Sequence, residues 1–99
     1  MKKTLALTLL LAGSLGAVSA QALDPKARFM ASNCAYCHGV EGKSIGAIPS
    51  LAGLEAQYFI DQMKAFKDGS RPATVMQKHA SGYNEAEYAA MAKYFAAIK

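Results

Sequence analysis

The stretch Cys34-Ala35-Tyr36-Cys37-His38 decides how the rest of the chain is interpreted. It has the form C-x-x-C-H, which is the pattern of a c-type haem attachment site. Two thiols three residues apart on a helical turn can each add to one of two neighbouring vinyl groups, and the adjacent histidine is then held beneath the ring to ligate the iron. We therefore predict one haem c, bound covalently through Cys34 and Cys37, with His38 as an axial iron ligand.

The same two cysteines allow an alternative, which is a redox-active or structural disulfide without haem. A C-x-x-C motif of that kind usually stands in a βαβ pattern. No strand-like alternation surrounds Cys34 and Cys37, and 2 cysteines are too few for a framework of several disulfides. The disulfide module stays a second hypothesis, and it leaves the long loops described below without a role.

Residues 1–20 have the layout of a secretory signal peptide. Lysines precede an apolar run over residues 5–11, and small residues follow it. Cleavage after Ala20 leaves residues 21–99 as a monohaem domain, whereas cleavage after Ala22 is the competing frame. An uncleaved membrane anchor is a third interpretation, but the run is shorter than the ~20 apolar residues that a spanning helix needs. We expect export to the periplasm, with no stable insertion into the membrane.

The length and the charge of the chain limit the class of protein. The 99 residues carry 11 Lys plus Arg and 7 Asp plus Glu, which is a net charge of +4. Two of these lysines lie in the signal segment, so the remaining balance is 9 against 7, or +2. This charge is too small for the dense basic surface of a nucleic-acid-binding domain. A domain of this size is also marginal on its apolar core alone, which favours a stabilising cofactor.

Three segments of the domain have helical patterns, and two irregular segments separate them. Residues 24–33 begin with an Asp-Pro pair, residues 54–69 place apolar residues at helical spacings and end in glycine, and residues 84–98 begin with a capping-box pattern. Residues 39–53 hold four glycines and a proline, and residues 70–82 also hold glycine and proline. The pattern predicts an all-α domain with two long loops, and loops of that length usually have a function.

The second axial position of the iron decides between electron transfer and ligand chemistry, because an open position admits ligands. Met76 lies in a loop after Pro72, and that loop can aim the thioether inward. The other methionines of the domain lie on apolar helix faces, where methionine usually fills the core. They are Met30, Met63 and Met91. We predict Met76 as the second axial ligand, with His79 as the alternative.

A haem-ligating histidine normally donates its other ring N–H to a carbonyl or carboxylate, which orients the ring. Pro49 stands 11 residues after His38. We predict that Pro49 provides this acceptor and stiffens the loop beside the histidine. A turn proline without any role at the haem is the alternative.

Taken together, these residues resemble a class I cytochrome c. The features follow the order of that family, which is a helix, C-x-x-C-H, a proline loop, a middle helix, a methionine loop and an aromatic C-terminal helix. The resemblance covers nearly all of residues 24–98. It implies a small all-α fold with three main helices and long loops around one covalent haem. It also implies that the first and last helices cross, with Phe29 and Met30 against Tyr94 and Phe95.

Five short segments are similar, more narrowly, to the cytochrome subunit of flavocytochrome c sulfide dehydrogenase. They are residues 37–44, 48–53, 58–69, 71–76 and 82–83. In that family the flavoprotein subunit oxidises sulfide at FAD, and the cytochrome subunit takes the electrons singly and passes them to a further acceptor. Many such subunits carry two C-x-x-C-H motifs, so this chain, which has one, resembles a single-haem form. The resemblance implies a heterodimer with an FAD-containing flavoprotein that carries out the catalysis.

The leading hypothesis is therefore an exported electron-transfer protein that is not itself an enzyme. An apolar pocket around the haem would exclude water and raise the reduction potential. The residues expected to form that pocket are Phe29, Leu51, Leu54, Tyr58, Phe59, Met63 and Phe95. The alternatives are a free-standing cytochrome of a respiratory or photosynthetic chain, and a haem peroxidase or gas-binding protein with an open sixth position. For the latter, His79 is the candidate distal acid or base.

Basic side chains flank the loops, and charge steers the encounter between redox proteins. They are Lys43, Lys64, Lys67, Arg71 and Lys78. A solvated surface is the default interpretation of each of them. An apolar docking patch beside residues 34–37 is an equal alternative, since weak redox encounters bury little area.

Overall fold

The computed structural model describes residues 24–99, which form helices and loops without a strand. The helices are α1 (Pro25–Ser32), α2 (Ala35–His38), α3 (Ala56–Asp68), α4 (Met76–Ser81) and α5 (Glu85–Ala96), with a 3₁₀ turn at Val40–Gly42. The predicted all-α class is confirmed. None of the helices in this part of the chain is long and apolar enough to span a bilayer. The predicted signal peptide, residues 1–20, lies outside the described residues.

The main helices α1, α3 and α5 begin and end close to the residues that the sequence predicts. Asp24 is the N-cap of α1, and Gly69 closes α3 in the left-handed conformation at φ 83°. Asn84 and Glu87 form a complete capping box at the start of α5, with backbone-to-side-chain distances of 2.9 and 3.0 Å. At α3 the N-cap is Glu55, one residue beyond the predicted start, because its carboxylate accepts two backbone N–H groups of the first turn.

The segment 70–82 is not wholly irregular, contrary to the prediction, because α4 lies inside it. Ala80 is fully buried and Met76 is half-buried, whereas the other four residues of α4 are exposed. One buried and one half-buried position make no apolar stripe, so the helix leaves little signal in the sequence. A helix of 6 residues is not stable by itself. It forms here because it packs against α3.

The core lies where α5 meets α1 and α3. Four residues of α5 at helical spacing are at most 1% exposed, and they are Tyr88, Met91, Ala92 and Phe95. The Phe95 ring contacts Phe59 of α3, with ring centroids 5.6 Å apart, and the edge of Tyr94 at 5.3 Å. Aromatic pairs at these separations add to the stabilisation from burial. The C-terminal helix is therefore the element against which the others pack.

The contact of α1 with α5 uses small residues rather than the expected aromatic pair. Ala27, Met30 and Ala31 are buried, whereas Phe29 is 72% exposed. Positions 27, 30 and 31 lie on one face of the helix, and position 29 points away from it. The prediction that Phe29 packs in the crossing is wrong, and Met30 is the large residue of α1 there.

The loop after α2 is fixed to α5 through Gly42. The Gly42 carbonyl accepts the backbone N–H groups of Leu51 and Ala52 at 2.7 and 3.1 Å, which closes the loop on itself. Gly42 has φ +74°, and a Cβ atom there would lie 2.8 Å from Cε1 of Phe95. Only glycine combines this backbone conformation with so close an approach.

Replacing Gly42 with alanine is expected to lower the free energy of unfolding by about 1–3 kcal/mol, because the new methyl group collides with Phe95 in a strained conformation. The measurement is guanidinium unfolding of the purified protein. Gly46→Ala is the matched control, since an added Cβ there meets nothing within 4 Å. It should change stability by less than about 0.5 kcal/mol. Equal effects of the two substitutions would contradict this account of the loop.

Candidate haem-binding site

The C-x-x-C-H motif folds into α2, a single helical turn directly after α1. The His38 backbone N–H donates to the Cys34 carbonyl at 2.9 Å. Cys34 is half-buried against the core, Cys37 is exposed, and both are free thiols. Burial raises the pKa of the Cys34 thiol, and the neighbouring Cys37 adds to the effect. A redox-active C-x-x-C motif requires the opposite shift, a lowered thiol pKa, so the burial of Cys34 disfavours a redox-active disulfide.

The His38 imidazole is the buried polar side chain of the site, at 8% exposure. Its Nδ1 lies 2.6 Å from the Pro49 carbonyl oxygen. A carbonyl can only accept, so Nδ1 carries the proton, and in the neutral ring the lone pair is on Nε2. This is the tautomer that a metal-ligating histidine needs, and the hydrogen bond also fixes the orientation of the ring. The acceptor predicted at Pro49 is present.

The loop that carries Pro49 is held close to α2 by backbone geometry. Gly39 follows His38 at φ +90°, and a Cβ there would lie 2.0 Å from the Lys43 carbonyl oxygen. Farther along, the Ser44 backbone N–H donates to the Ser50 hydroxyl at 2.9 Å. The chain therefore turns sharply after the histidine and returns to place a carbonyl beside its ring.

Met76, the predicted second ligand, is the first residue of α4 rather than part of a loop. Its side chain is half-buried and packs against the core. His79, the alternative ligand, is exposed on the same helix. The burial of the two side chains favours Met76.

Arg71 anchors the segment that leads into Met76. Its backbone N–H donates to the Ala65 carbonyl at 3.1 Å, and its guanidinium donates to the Gln62 side chain. The guanidinium also lies over the Phe66 ring, 4.6 Å from the centroid. All three contacts are made with α3, so the chain enters α4 from a fixed point.

A hydrogen bond joins the two halves of the site across 50 residues of sequence. The Asn33 side-chain amide donates to the Tyr83 hydroxyl at 3.1 Å. Asn33 directly precedes Cys34, and Tyr83 follows α4. Lys67 of α3 adds a bond to the Tyr83 carbonyl at 3.2 Å. The attachment motif and the methionine segment are thus tied together through Tyr83.

The residues predicted to form the apolar pocket fall into three groups. Phe59, Met63 and Phe95 are buried, Leu51 and Leu54 are half-buried against the core, and Tyr58 and Phe29 are exposed by 48% and 72%. The first two groups form one continuous apolar wall. Phe29 lies outside it, while Tyr58 stands on the first turn of α3 with its ring partly open to solvent.

A groove of about 690 Å³ lies beside Cys37, along the loop that follows α2. Large apolar side chains line it in exposed positions, and they are Tyr36, Val40, Ile45 and Ile48. The predicted docking cations are largely engaged elsewhere. Lys64 pairs with Glu85 at 3.3 Å, and Lys67 and Arg71 make the contacts described above. The apolar alternative for docking therefore has the clearer structural basis.

The donor set fits a haem c. Two free thiols stand at the spacing that two vinyl groups require, a buried imidazole keeps Nε2 available, and a half-buried thioether lies on a separate helix. Sequence reasoning missed Asn33, Tyr83 and the anchoring role of Arg71. Their contacts join segments far apart in the chain, and no local pattern indicates such pairs.

Comparisons with known proteins find similarity to c-type cytochromes. The family model for cytochrome c matches residues 24–99. Over 72 residues the chain is 39% identical to the cytochrome subunit of sulfide dehydrogenase from Chlorobaculum tepidum. This alignment covers 73% of this chain and 66% of that protein. Over 71 residues it is 39% identical to the thiosulfate dehydrogenase electron acceptor of Thiomonas intermedia, covering 70% of this chain and 33% of that protein.

A third relative is matched over a larger share of its own length. It is cytochrome c-554(548) of Halomonas halodenitrificans, 35% identical over 66 residues, with 63% of this chain and 80% of that protein covered. The chain thus spans about two thirds of the sulfide dehydrogenase subunit and one third of the thiosulfate dehydrogenase acceptor.

Replacing Arg71 with lysine is expected to lower the free energy of unfolding by about 1 kcal/mol, because lysine keeps the charge but loses the planar stacking on Phe66. Chemical unfolding followed by circular dichroism measures the change. Lys78→Ala is the control, since Lys78 is exposed on α4. If Arg71→Lys were as neutral as that control, the guanidinium contacts would have no role in anchoring the segment.

Proposed function

Since this chain belongs to the cytochrome c family, we propose that it is an exported, monohaem electron-transfer protein whose iron is bound by His38 and Met76. Proteins of this family carry haem c and transfer electrons. One observation carries the assignment of residues, which is the buried imidazole of His38. His38 directly follows Cys37 in the chain, and its Nδ1 lies 2.6 Å from the Pro49 carbonyl oxygen. No other described side chain combines burial, a fixed tautomer and adjacency to the thiols.

Each residue of the motif has a distinct task. Cys34 and Cys37 form the two thioether bonds, and α2 keeps their separation fixed. The His38 hydrogen bond to Pro49 increases the basicity of Nε2 and prevents the ring from rotating. A ligand that cannot rotate holds the same geometry in both oxidation states, so little reorganisation accompanies the transfer of an electron.

Met76 occupies the second axial position in this proposal. When bound, the haem supplies an iron that changes between the ferric and ferrous states. A thioether favours the ferrous state, which raises the reduction potential relative to two histidines. The apolar wall of Leu51, Leu54 and Phe59 acts in the same direction because it keeps water away from the charge. Pro49 and Tyr58 complete the predicted pocket.

An FAD-containing sulfide dehydrogenase is the proposed electron donor. Support comes from the 39% identity to the cytochrome subunit of such an enzyme. Oxidation of hydrosulfide to zero-valent sulfur releases two electrons and a proton, and a flavin can accept both electrons. A protein with one haem takes them singly, so two transfers follow each oxidation. Catalysis lies in the flavoprotein, and this chain passes the electrons to a further acceptor.

A free-standing carrier is the second candidate. It is favoured by the similarity to a thiosulfate dehydrogenase electron acceptor and to cytochrome c-554(548). In this case the chain meets its donor only briefly instead of forming a permanent heterodimer. Both candidates place the protein in the periplasm, as the predicted signal peptide of residues 1–20 indicates. An open-site peroxidase is disfavoured by the exposure of His79, which is the candidate distal acid or base among residues 24–99.

Replacing Met76 with alanine should remove the weak Met–Fe(III) charge-transfer band of the ferric protein and let cyanide bind rapidly, because the second axial position becomes open. Optical spectra of the haem-loaded protein measure both effects. His79→Ala is the matched control, three residues further along the same helix, and should leave the band and the rate unchanged. Absence of the band in the unmodified protein, with rapid cyanide binding in His79→Ala and not in Met76→Ala, would transfer the ligand role to the histidine.

The choice of donor is tested by stopped-flow reduction of the ferric protein. We expect the FAD subunit of a sulfide dehydrogenase to accelerate reduction by sulfide well above the rate with sulfide alone, and gel filtration to show a stable complex. Thiosulfate with a thiosulfate dehydrogenase is the parallel reaction. The free-standing carrier would be favoured if thiosulfate dehydrogenase reduced the protein faster and gel filtration showed no complex with the FAD subunit.

A further inference from the structure

The helix that carries Met76 depends on contacts outside itself. α4 has 6 residues, and its N-cap, Val75, makes no side-chain capping bond. A helix of this length gains too few internal hydrogen bonds to offset the cost of nucleation. The position of Met76 is therefore set by whatever holds α4 from outside.

The buried contact at the far end of α4 is made by Tyr88 of α5. The Tyr88 side chain is fully buried, and its hydroxyl donates to the backbone carbonyl of Ala80. Ala80 is also fully buried. Burial raises the pKa of the Tyr88 hydroxyl, and Glu85 and Glu87 add to the shift. The group thus stays protonated, and remains a donor, at every pH near neutrality.

Ala80 stands four residues after Met76, which is about one turn of helix. Residues at this spacing lie on the same face. The Ala80 carbonyl also accepts the Tyr83 backbone N–H at 3.2 Å, so the local turn does not need the tyrosine to satisfy it. The hydroxyl of Tyr88 consequently acts between helices and, together with the packing of α4 on α3, holds the face of α4 from which Met76 projects.

We propose that Tyr88 is a positioning residue for the second axial ligand: its hydroxyl fixes α4 on α5 and so keeps the Met76 thioether at the haem iron. The inference rests on the proposed ligation by Met76. In this inference Tyr88, a residue of the core, slows the dissociation of the Met76 side chain from the iron.

The test is the rate of cyanide binding to the ferric, haem-loaded protein in Tyr88→Phe. This substitution keeps the ring and removes only the interhelical hydrogen bond, so we expect binding to accelerate about fivefold, in line with the loss of one such bond. The Met–Fe(III) band should also disappear at a lower guanidinium concentration. Amide hydrogen exchange at Gly82 and Tyr83 provides a readout that is independent of the iron, and it should become faster.

Two controls separate this role from general stability. Tyr94→Phe removes a hydroxyl from the same helix, and within the described residues that hydroxyl makes no hydrogen bond, so the rate should stay unchanged. Asp24→Ala removes the side-chain N-cap of α1 and lowers global stability through a helix that carries neither Met76 nor Tyr88. Equal acceleration in Asp24→Ala, or an unchanged rate in Tyr88→Phe, would overturn the inference.

The optical spectrum of the unmodified protein separates this inference from the proposed ligation by Met76, on which it rests. Absence of the Met–Fe(III) band in that protein contradicts the ligation by Met76 itself. A band that is present and equally stable in Tyr88→Phe contradicts only the role of the tyrosine.

Discussion

The hydrogen bond between His38 and the Pro49 carbonyl is the constraint on which the site depends. It satisfies the buried imidazole, selects its tautomer and joins the attachment motif to the loop that follows. That loop is in turn fixed by the carbonyl of Gly42 and by the close approach of Gly42 to Phe95. A single chain of contacts thus runs from the His38 ring to the centre of the core, so the ring is held by the fold as a whole.

The two sides of the site are supported in different ways. On the histidine side, motif and acceptor are 11 residues apart, and glycines allow the chain to return sharply. On the methionine side, the support comes from α3 through Arg71 and from α5 through Tyr88. The histidine side is thus built from contacts near in sequence, whereas the methionine side requires the main helices to have packed first. Asn33 and Tyr83 join the two.

The features that could be predicted from the sequence are those that neighbouring residues determine by themselves. The capping box at Asn84, the glycine end of α3 and the attachment motif each consist of a few neighbouring residues with one favoured conformation. The Pro49 acceptor could be predicted because a ligating histidine requires a partner and the following loop offers a stiff one. The helix at Met76 and the exposure of Phe29 could not be predicted in this way. Both depend on which face meets another helix, and the relevant partners lie far away in the chain.

The small size of α4 has a consequence for how the molecule opens. Segments with few buried side chains open at lower free energy than the core, as separate cooperative units. α4 buries Ala80 fully and Met76 in part, whereas α1, α3 and α5 share the main core. The segment around Met76 is therefore expected to open before the core that α1, α3 and α5 share. In the proposed assignment, the residue that tunes the iron thus belongs to a less stable layer of the fold than the helices that form the core.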